Sequence, residues 1–348
     1  MSDQLADSAE RLFAANTGKA VIRAAEDGTF PQALWDAVTQ AGFTAALWPE
    51  HVGGYGATVA EAMALLRIAA AHAAPIPLAE TMLAGWLLAQ AGLPVPEGVL
   101  TLAPVRIRNA LSLRRAEGGW HLTGIAGRIP WARDAAAVAV MAEGPDGPMV
   151  ALLRPDGFTL GHDRNLAGEP RDAITVDATL AVDAVAPAPF GLAQLRAAGA
   201  AVRTVQIAGA LSSALSLSVQ YAQTRVQFGR PIGKFQAIQQ NLAILAGQAA
   251  AAVAAADMAA DALANGLDPL LVGAAKARAG EAASIAAGLA HQSHGAIGFT
   301  QEYELHFATR RLWSWRDEFG NEAEWNGVVG RAVLAAGPDG LWPALTAA

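Results

Sequence analysis

Cysteine is absent from the 348 residues. That excludes disulfides, thiolate metal sites and a cysteine nucleophile, fits a reducing cytoplasm, and leaves redox chemistry dependent on a borrowed cofactor. Charge is scarce too: 16% of residues are Asp, Glu, Lys or Arg against 53% hydrophobic. Such a balance implies a large interior and a buried subunit interface, so an oligomer is expected. Runs of Lys or Arg are missing and the formal net charge is -7. Counterion release needs clustered cations, so nucleic acid is not an expected partner. The opening residues, MSDQLADSAERLF, place acids where a secretory signal has a basic and then an apolar region, and the cytoplasm is the expected compartment. The longest uncharged run, from Phe235 to Ala256, is interrupted by Gln236, Gln239, Gln240, Asn241 and Gln248 and is otherwise mostly Ala. A bilayer span needs about 20 strongly apolar residues, so this run reads as a bundle helix and no membrane partner is expected.

What is present changes character twice along the chain. Residues 1–96 carry helical periodicity, with Leu34, Trp35, Val38 and Phe43, then Leu65, Leu66 and Ile68, then Met82, Leu83, Trp86 and Leu87. Gly53, Gly54 and Gly56 in the stretch 47–56 read as a sharp turn rather than a phosphate loop. Over 97–188 the period moves towards two, with candidate strands at 99–103, 111–115, 120–125, 136–141, 149–153 and 173–182. Their short spacing predicts a small antiparallel barrel or sandwich. Residues 189–348 return to helix, near 191–226, 235–265, 268–295, 303–313 and after Asn321, as a four-helix bundle. The expected fold class is α+β: helical domain 1–96, β domain 97–188, helical bundle 189–348. No internal repeat is visible.

Two motifs in the bundle region carry a family likeness. The stretch Arg225-Val226-Gln227-Phe228-Gly229-Arg230-Pro231-Ile232-Gly233-Lys234-Phe235-Gln236 resembles R-x-x-F-G-x-x-I-x-x-x-Q, the C-terminal signature of the acyl-CoA dehydrogenases. The second, from Gln292 to Tyr303, resembles that family's Q-x-H-G-G-x-G-[FY]-T-x-E-Y with the second Gly replaced by Ala296. The loop at 47–56 is similar to the V-P-E-x-x-G-G-x-G loop of the same family's first domain. The resemblance implies an N-terminal helical domain, a middle β-barrel domain and a C-terminal four-helix bundle, FAD as cofactor, and an oxidoreductase acting on CH–CH groups of an acyl-CoA. It further implies that Arg225, Phe228 and Gln236 hold the adenosine diphosphate part of FAD bound to a neighbouring subunit, and that Gln292 and Gly295 approach its adenosine and pyrophosphate. A guanidinium fork suits pyrophosphate, and a missing Cβ lets backbone N–H groups come close to phosphate oxygens. Arg225 read without the motif is a helix-surface residue pairing with an acid. His291 and His294 stand three apart, but zinc needs three or four ligands, and capping or core histidines are the expected role.

The middle region departs from the family pattern. Gly119 to Gly124 and Gly127 to Ala135 are similar to the G-x-x-L-x-G-x-K-x-W-I-T-N-A strand pair, which would place Trp131 along the flavin ring. Ala132 and Arg133, however, stand where hydrogen-bonding Thr and Asn are expected, and no T-E-P-x-A-G-S-D counterpart lies between Thr101 and Leu111. The base departs further. Removing the Cα proton as hydride leaves Cβ needs a carboxylate of raised pKa, yet the two family positions fall on Phe319 and Gly199. Glu318, one residue off register, is the sole candidate, and its other reading is a solvent-facing acid beside Arg316 and Asp317.

Residues offered to a neighbour's FAD are thus present and those serving this chain's own flavin and base are altered. The pattern is similar to the shorter, non-base-bearing subunit of heteromeric steroid and cholesterol side-chain acyl-CoA dehydrogenases, in which two copies of each chain assemble and the partner supplies the base. The resemblance implies an acyl-CoA with a bulky ring system as substrate and an electron-transfer flavoprotein-type acceptor. Three alternatives stay open: a self-sufficient homodimer using Glu318, a flavin-dependent oxidase or monooxygenase of the same fold, and a non-catalytic dimerising paralogue.

Overall fold

The structure is a computed structural model that describes residues 3–106 and 110–346. It divides into two compact units, Met1–Gly199 and Ala200–Ala348.

The first unit begins with five helices: α1 (Asp3–Asn16), α2 (Lys19–Glu26), α3 (Gln32–Gln40), α4 (Val59–Ala71) and α5 (Leu78–Gln90). Thr58 starts α4 with a capping box: its Oγ1 accepts from the Glu61 amide at 3.2 Å and Glu61 Oε2 accepts from the Thr58 amide at 3.0 Å. Such a cap stabilises a helix end by about 1 kcal/mol. α5 is apolar nearly all round, which is the signature of an interior helix; Leu78, Met82, Leu83, Leu87 and Leu88 are all buried. The Trp48 indole lies against α5 at Gly85, where an added Cβ would fall 2.2 Å from the ring, and its Nε1 donates to Met82 O at 3.2 Å. The Gly-rich stretch after Trp48 therefore works as a packing turn, with Gly53 and Gly56 at φ 97° and 73°.

The rest of this unit is an eight-stranded sheet of β1 (Leu100–Ala103), β2 (Ala110–Ala116), β3 (Gly119–Pro130), β4 (Ala137–Gly144), β5 (Gly147–Leu153), β6 (Phe158–Gly161), β7 (Arg171–Ala181) and β8 (Val185–Pro187). The order is β6-β7-β3-β2-β4-β5-β8 with β1 beside β4. Pairing is antiparallel except that β1 and β2 meet β4 in parallel. β7 alternates cleanly, with Ile174, Val176, Ala178 and Leu180 inward and Thr175, Asp177 and Thr179 outward. The short β6 and β8 are not among the strands expected from periodicity: runs of four and three residues hold too few alternations to register.

α6 (Leu192–Thr224) runs across the boundary into the second unit. There follow β9 (Val226–Gln227), β10 (Arg230–Pro231), α7 (Gln236–Ala264), α8 (Pro269–His294), α9 (Leu305–Trp315) and α10 (Glu322–Thr346), the last broken at Gly337 (φ 68°) before Pro338. Asp268 caps α8 by accepting from the Leu270 amide at 2.8 Å, with Pro269 at the first helical position. The buried faces of α7 (Ala249, Ala252, Ala256, Ala259) and α8 (Ala275, Ala279, Ala282, Ala286) are alanine, so backbones approach closely and packing does the work of bulky side chains. By length and composition α6 and α7 match a membrane span, but the apolar window of α6 is 67% buried within the protein; that of α7 is 33% buried and leaves an apolar face with Ile244 half exposed.

Candidate cofactor-facing site at one end of the helical unit

α6 ends by handing the chain to a hairpin. The Arg225 amide still donates to Tyr221 O at 2.8 Å, and the Ile232 amide returns to Arg225 O at 2.8 Å. Between them Val226 pairs with Pro231 and Gln227 with Arg230. The two-residue turn, Phe228-Gly229, has φ of 50° and 77°, as a primed hairpin turn requires. Gly accepts this conformation freely, whereas a Phe is strained there by about 1 to 2 kcal/mol. Phe228 is 94% exposed at the tip. Arg225 is exposed beside it. Gln236 opens α7, also exposed.

The second motif closes α8. His291, Ser293 and His294 face inward while Gln292 and Gly295 face outward. Gly295 has φ 66° and ψ -145°, a region essentially confined to glycine, and nothing lies within 4 Å of where a Cβ would stand. Its backbone thus borders open space. Ala296 is not among the residues of positive φ, so its methyl brings no backbone strain. The His294 ring stacks on Tyr221 at 4.6 Å and packs on Tyr303 at 4.9 Å. Since Tyr221 is the last turn of α6, this contact sets the Arg225 hairpin and the Gln292–Gly295 corner at one end of the bundle.

His291 stacks on Phe299 at 4.2 Å and its Nε2 meets Thr309 Oγ1 at 2.9 Å, and His294 Nδ1 meets Ala290 O at 2.7 Å. Burial lowers both imidazole pKa values, with the neighbouring imidazoles of His294 and His306 adding to the effect on His291. They serve as core histidines. Among the described residues, no group of three or more His, Asp or Glu is placed to hold a metal ion.

The segment after α9 holds the candidate base. Glu318 Oε2 accepts from Arg203 Nε at 2.7 Å, with Arg203 1% and Glu318 12% exposed. Its neighbour Phe319, at φ 55°, is buried, with the Arg203 guanidinium 5.6 Å from its ring centre. Trp325 Nε1 donates to Phe319 O at 3.0 Å, and the buried Lys276 Nζ donates to Gly320 O at 3.0 Å and to Arg316 O. Burial brings the Lys276 ammonium down to about 7, against the opposing pull of Glu322, Glu318 and Asp317. Arg203 and Lys276 escape a reading of the sequence, because an isolated cation in an Ala-rich helix looks the same whether its side chain turns out or in.

The Trp131 region belongs to the first unit. Trp131 is buried at φ 55° and meets Phe30 edge-on at 6.1 Å. Arg133 Nε donates to Asp172 Oδ1 at 3.0 Å and the Arg133 amide to Oδ2 at 3.0 Å, with the Asp172 side chain fully buried. Where the resemblance expects Thr and Asn, the local polar groups are thus engaged within the chain. Asp134, whose carboxyl is pushed up chiefly by burial, lines a cleft of about 520 Å³ with Phe30, Trp35, Val99, Arg133 and Phe158. Residues 107–109, within the stretch where the T-E-P-x-A-G-S-D segment is missing, lie outside the described residues.

Helices, then a sheet, then a mainly helical unit with two signature motifs at one bundle end, define an acyl-CoA dehydrogenase type of flavoenzyme fold. The models of the acyl-CoA dehydrogenase N-terminal and C-terminal domains match residues 2–94 and 193–322. The chain belongs to the acyl-CoA dehydrogenase family, oxidoreductases that act on acyl-CoA thioesters with FAD as cofactor. It is 31% identical to the acyl-CoA dehydrogenase IpdE2 of Mycobacterium tuberculosis over 313 residues, 88% of this chain and 89% of that one. Among solved structures, a variant of the Tcur3481–Tcur3483 steroid acyl-CoA dehydrogenase is similar with a TM-score of 0.86 at 25% identity, covering 94% of this chain and 96% of that one. The ChsE4–ChsE5 complex from Mycobacterium tuberculosis shares the fold with a TM-score of 0.85 at 24% identity, over 96% and 97% of the two chains.

Proposed function

We propose that this chain is the subunit of an FAD-dependent acyl-CoA dehydrogenase that completes the FAD site of a base-bearing partner chain. The observation that carries the reading is the contrast within one unit. Phe319 is buried at the position where the motif count puts the family's base, and its neighbour Glu318 is held by Arg203 at 2.7 Å. Arg225, Phe228, Gln236, Gln292 and Gly295 are all exposed.

The exposed set fits the adenosine and pyrophosphate portion of FAD. Arg225 has a guanidinium fork for phosphate oxygens. Phe228 offers an apolar face, Gln236 and Gln292 offer amide donors and acceptors, and the open space at Gly295 admits a phosphate to the backbone. A bound FAD would supply the hydride acceptor for the substrate Cβ, and a carboxylate would be needed to accept the Cα proton. This chain holds and orients; the partner supplies the carboxylate. Trp131, buried against Phe30 in the first unit, has no exposed face to contribute.

The solved relative described as a steroid acyl-CoA dehydrogenase and the complex of two different chains support a bulky acyl-CoA substrate and a heteromeric assembly. The apolar face left on α7 supports burial against another chain. An electron-transfer flavoprotein-type acceptor and a cytoplasmic location complete the reading. Arg225→Met in this chain tests it in trans: the complex should still assemble but lose most of its flavin, although the flavin ring sits on the partner. Undiminished flavin content would overturn the reading.

A further inference from the structure

Between Asp183 and Asp257 the sequence contains no acidic residue, in a chain of net charge -7. Five cations fall in that interval: Arg196, Arg203, Arg225, Arg230 and Lys234. Arg203 is buried on Glu318, whereas Arg225, Arg230 and Lys234 are exposed on and around the hairpin. The three do not behave alike. The Arg230 guanidinium lies 4.3 Å from the ring centre of Phe235, and the Phe228 ring meets that same ring at 6.1 Å and 82°. Phe235 therefore has a cation over its ring and an aromatic partner near perpendicular, both favoured by the ring quadrupole.

The stack matters because the hairpin's own ladder is short, and beyond the Ile232 amide on Arg225 O and Gln239 Nε2 on Gly233 O at 2.9 Å its tip rests on these rings. Each strand is two residues long, and isolated two-stranded hairpins are marginal in water. One turn residue, Phe228, is held at a positive φ that it does not favour and is 94% exposed. Left to itself the tip would sample many conformations, and each mobile side chain fixed on binding weakens affinity.

We propose that Arg230 is a positioning residue: acting through Phe235, it holds Phe228 and the hairpin in the conformation that presents Arg225 and Phe228 to the partner-bound dinucleotide, without touching the ligand itself. The proposal rests on the reading given under Proposed function and adds a residue to it. Losing one such contact corresponds to about fivefold in affinity.

The test is FAD titration into the apo complex of this chain with its base-bearing partner at several salt concentrations, with hydrogen exchange on the free chain beside it. R230M and F235L should each weaken FAD about fivefold, and the double variant no further than either alone. Both should leave the salt dependence unchanged, because no phosphate contact is lost. R230K should recover part of the loss. In the free chain the Ile232 amide, which closes the hairpin on Arg225 O, should exchange faster in R230M and F235L. R225M should weaken FAD and flatten the salt dependence. A flattened salt dependence in R230M with F235L silent would overturn the proposal by making Arg230 a direct phosphate ligand, and so would unchanged FAD affinity and Ile232 exchange in R230M. A silent R225M with faster Ile232 exchange in R230M would keep the stack but overturn the dinucleotide reading it serves.

Discussion

Raising the pH from about 7 to about 8.5 should stabilise the helical unit through one residue, Lys276. Its side chain is 1% exposed on α8 and donates to two carbonyls, Arg316 O and Gly320 O. Burial is the dominant influence and brings its ammonium down from 10.5 to about 7, Arg203 adds to the lowering, and Glu322, Glu318 and Asp317 oppose it. Between those two values the unfolded chain binds the extra proton, so stability increases with pH, is fully present above 10.5 and is lost as pH falls through about 7. The slope is about 1.4 kcal/mol per pH unit, and 1.5 units just above 7 give about 2 kcal/mol. Urea unfolding of the wild type and K276M at both pH values, followed by helical circular dichroism, isolates this contribution because other titrating groups cancel in the difference. The wild type should gain about 2 kcal/mol more than K276M on raising the pH. Parallel responses would refute the reasoning, and the shared slope would then come from elsewhere.

Three further outcomes are expected. Glu318→Gln should cost about 1 to 3 kcal/mol of stability, by replacing a charged partner of the buried Arg203, while the dehydrogenase activity of the complex stays intact; lost turnover with retained flavin would make Glu318 the base. Gly295→Ala should cost about 1 to 3 kcal/mol, because alanine is strained at φ 66°, ψ -145°, and should lower the flavin content of the complex; unchanged flavin would remove Gly295 from the site. With both imidazole pKa values lowered by burial, His291 and His294 contribute stability that is present above the ordinary value near 6.5 and lost as pH falls through their depressed values; H294F, which keeps a ring against Tyr221, should flatten the urea midpoint between about pH 7 and pH 5.

The helices and most strands were legible because their periodicities run long enough to be read. α7 and α8 follow from runs bounded by Phe235, Asp268 and Gly295, and β7 from strict alternation. Parallel contacts of β1 and β2 with β4 were not legible, since pairing partners leave no mark on a single strand's pattern. At the site, motif spacing located Arg225, Phe228, Gln236, Gln292 and Gly295. It did not reveal that Tyr221 on His294 brings the two motifs to one end, because that contact joins residues far apart in sequence. The same limit hid the partner of Glu318, more than a hundred residues away at Arg203.

The flavin-to-protein ratio of this chain, purified alone and then co-purified with a base-bearing partner, tests the central claim most directly. Essentially no flavin alone and about one FAD per pair of unlike chains in the complex are expected. Full occupancy of the chain alone would contradict it and return the chemistry to a homodimer.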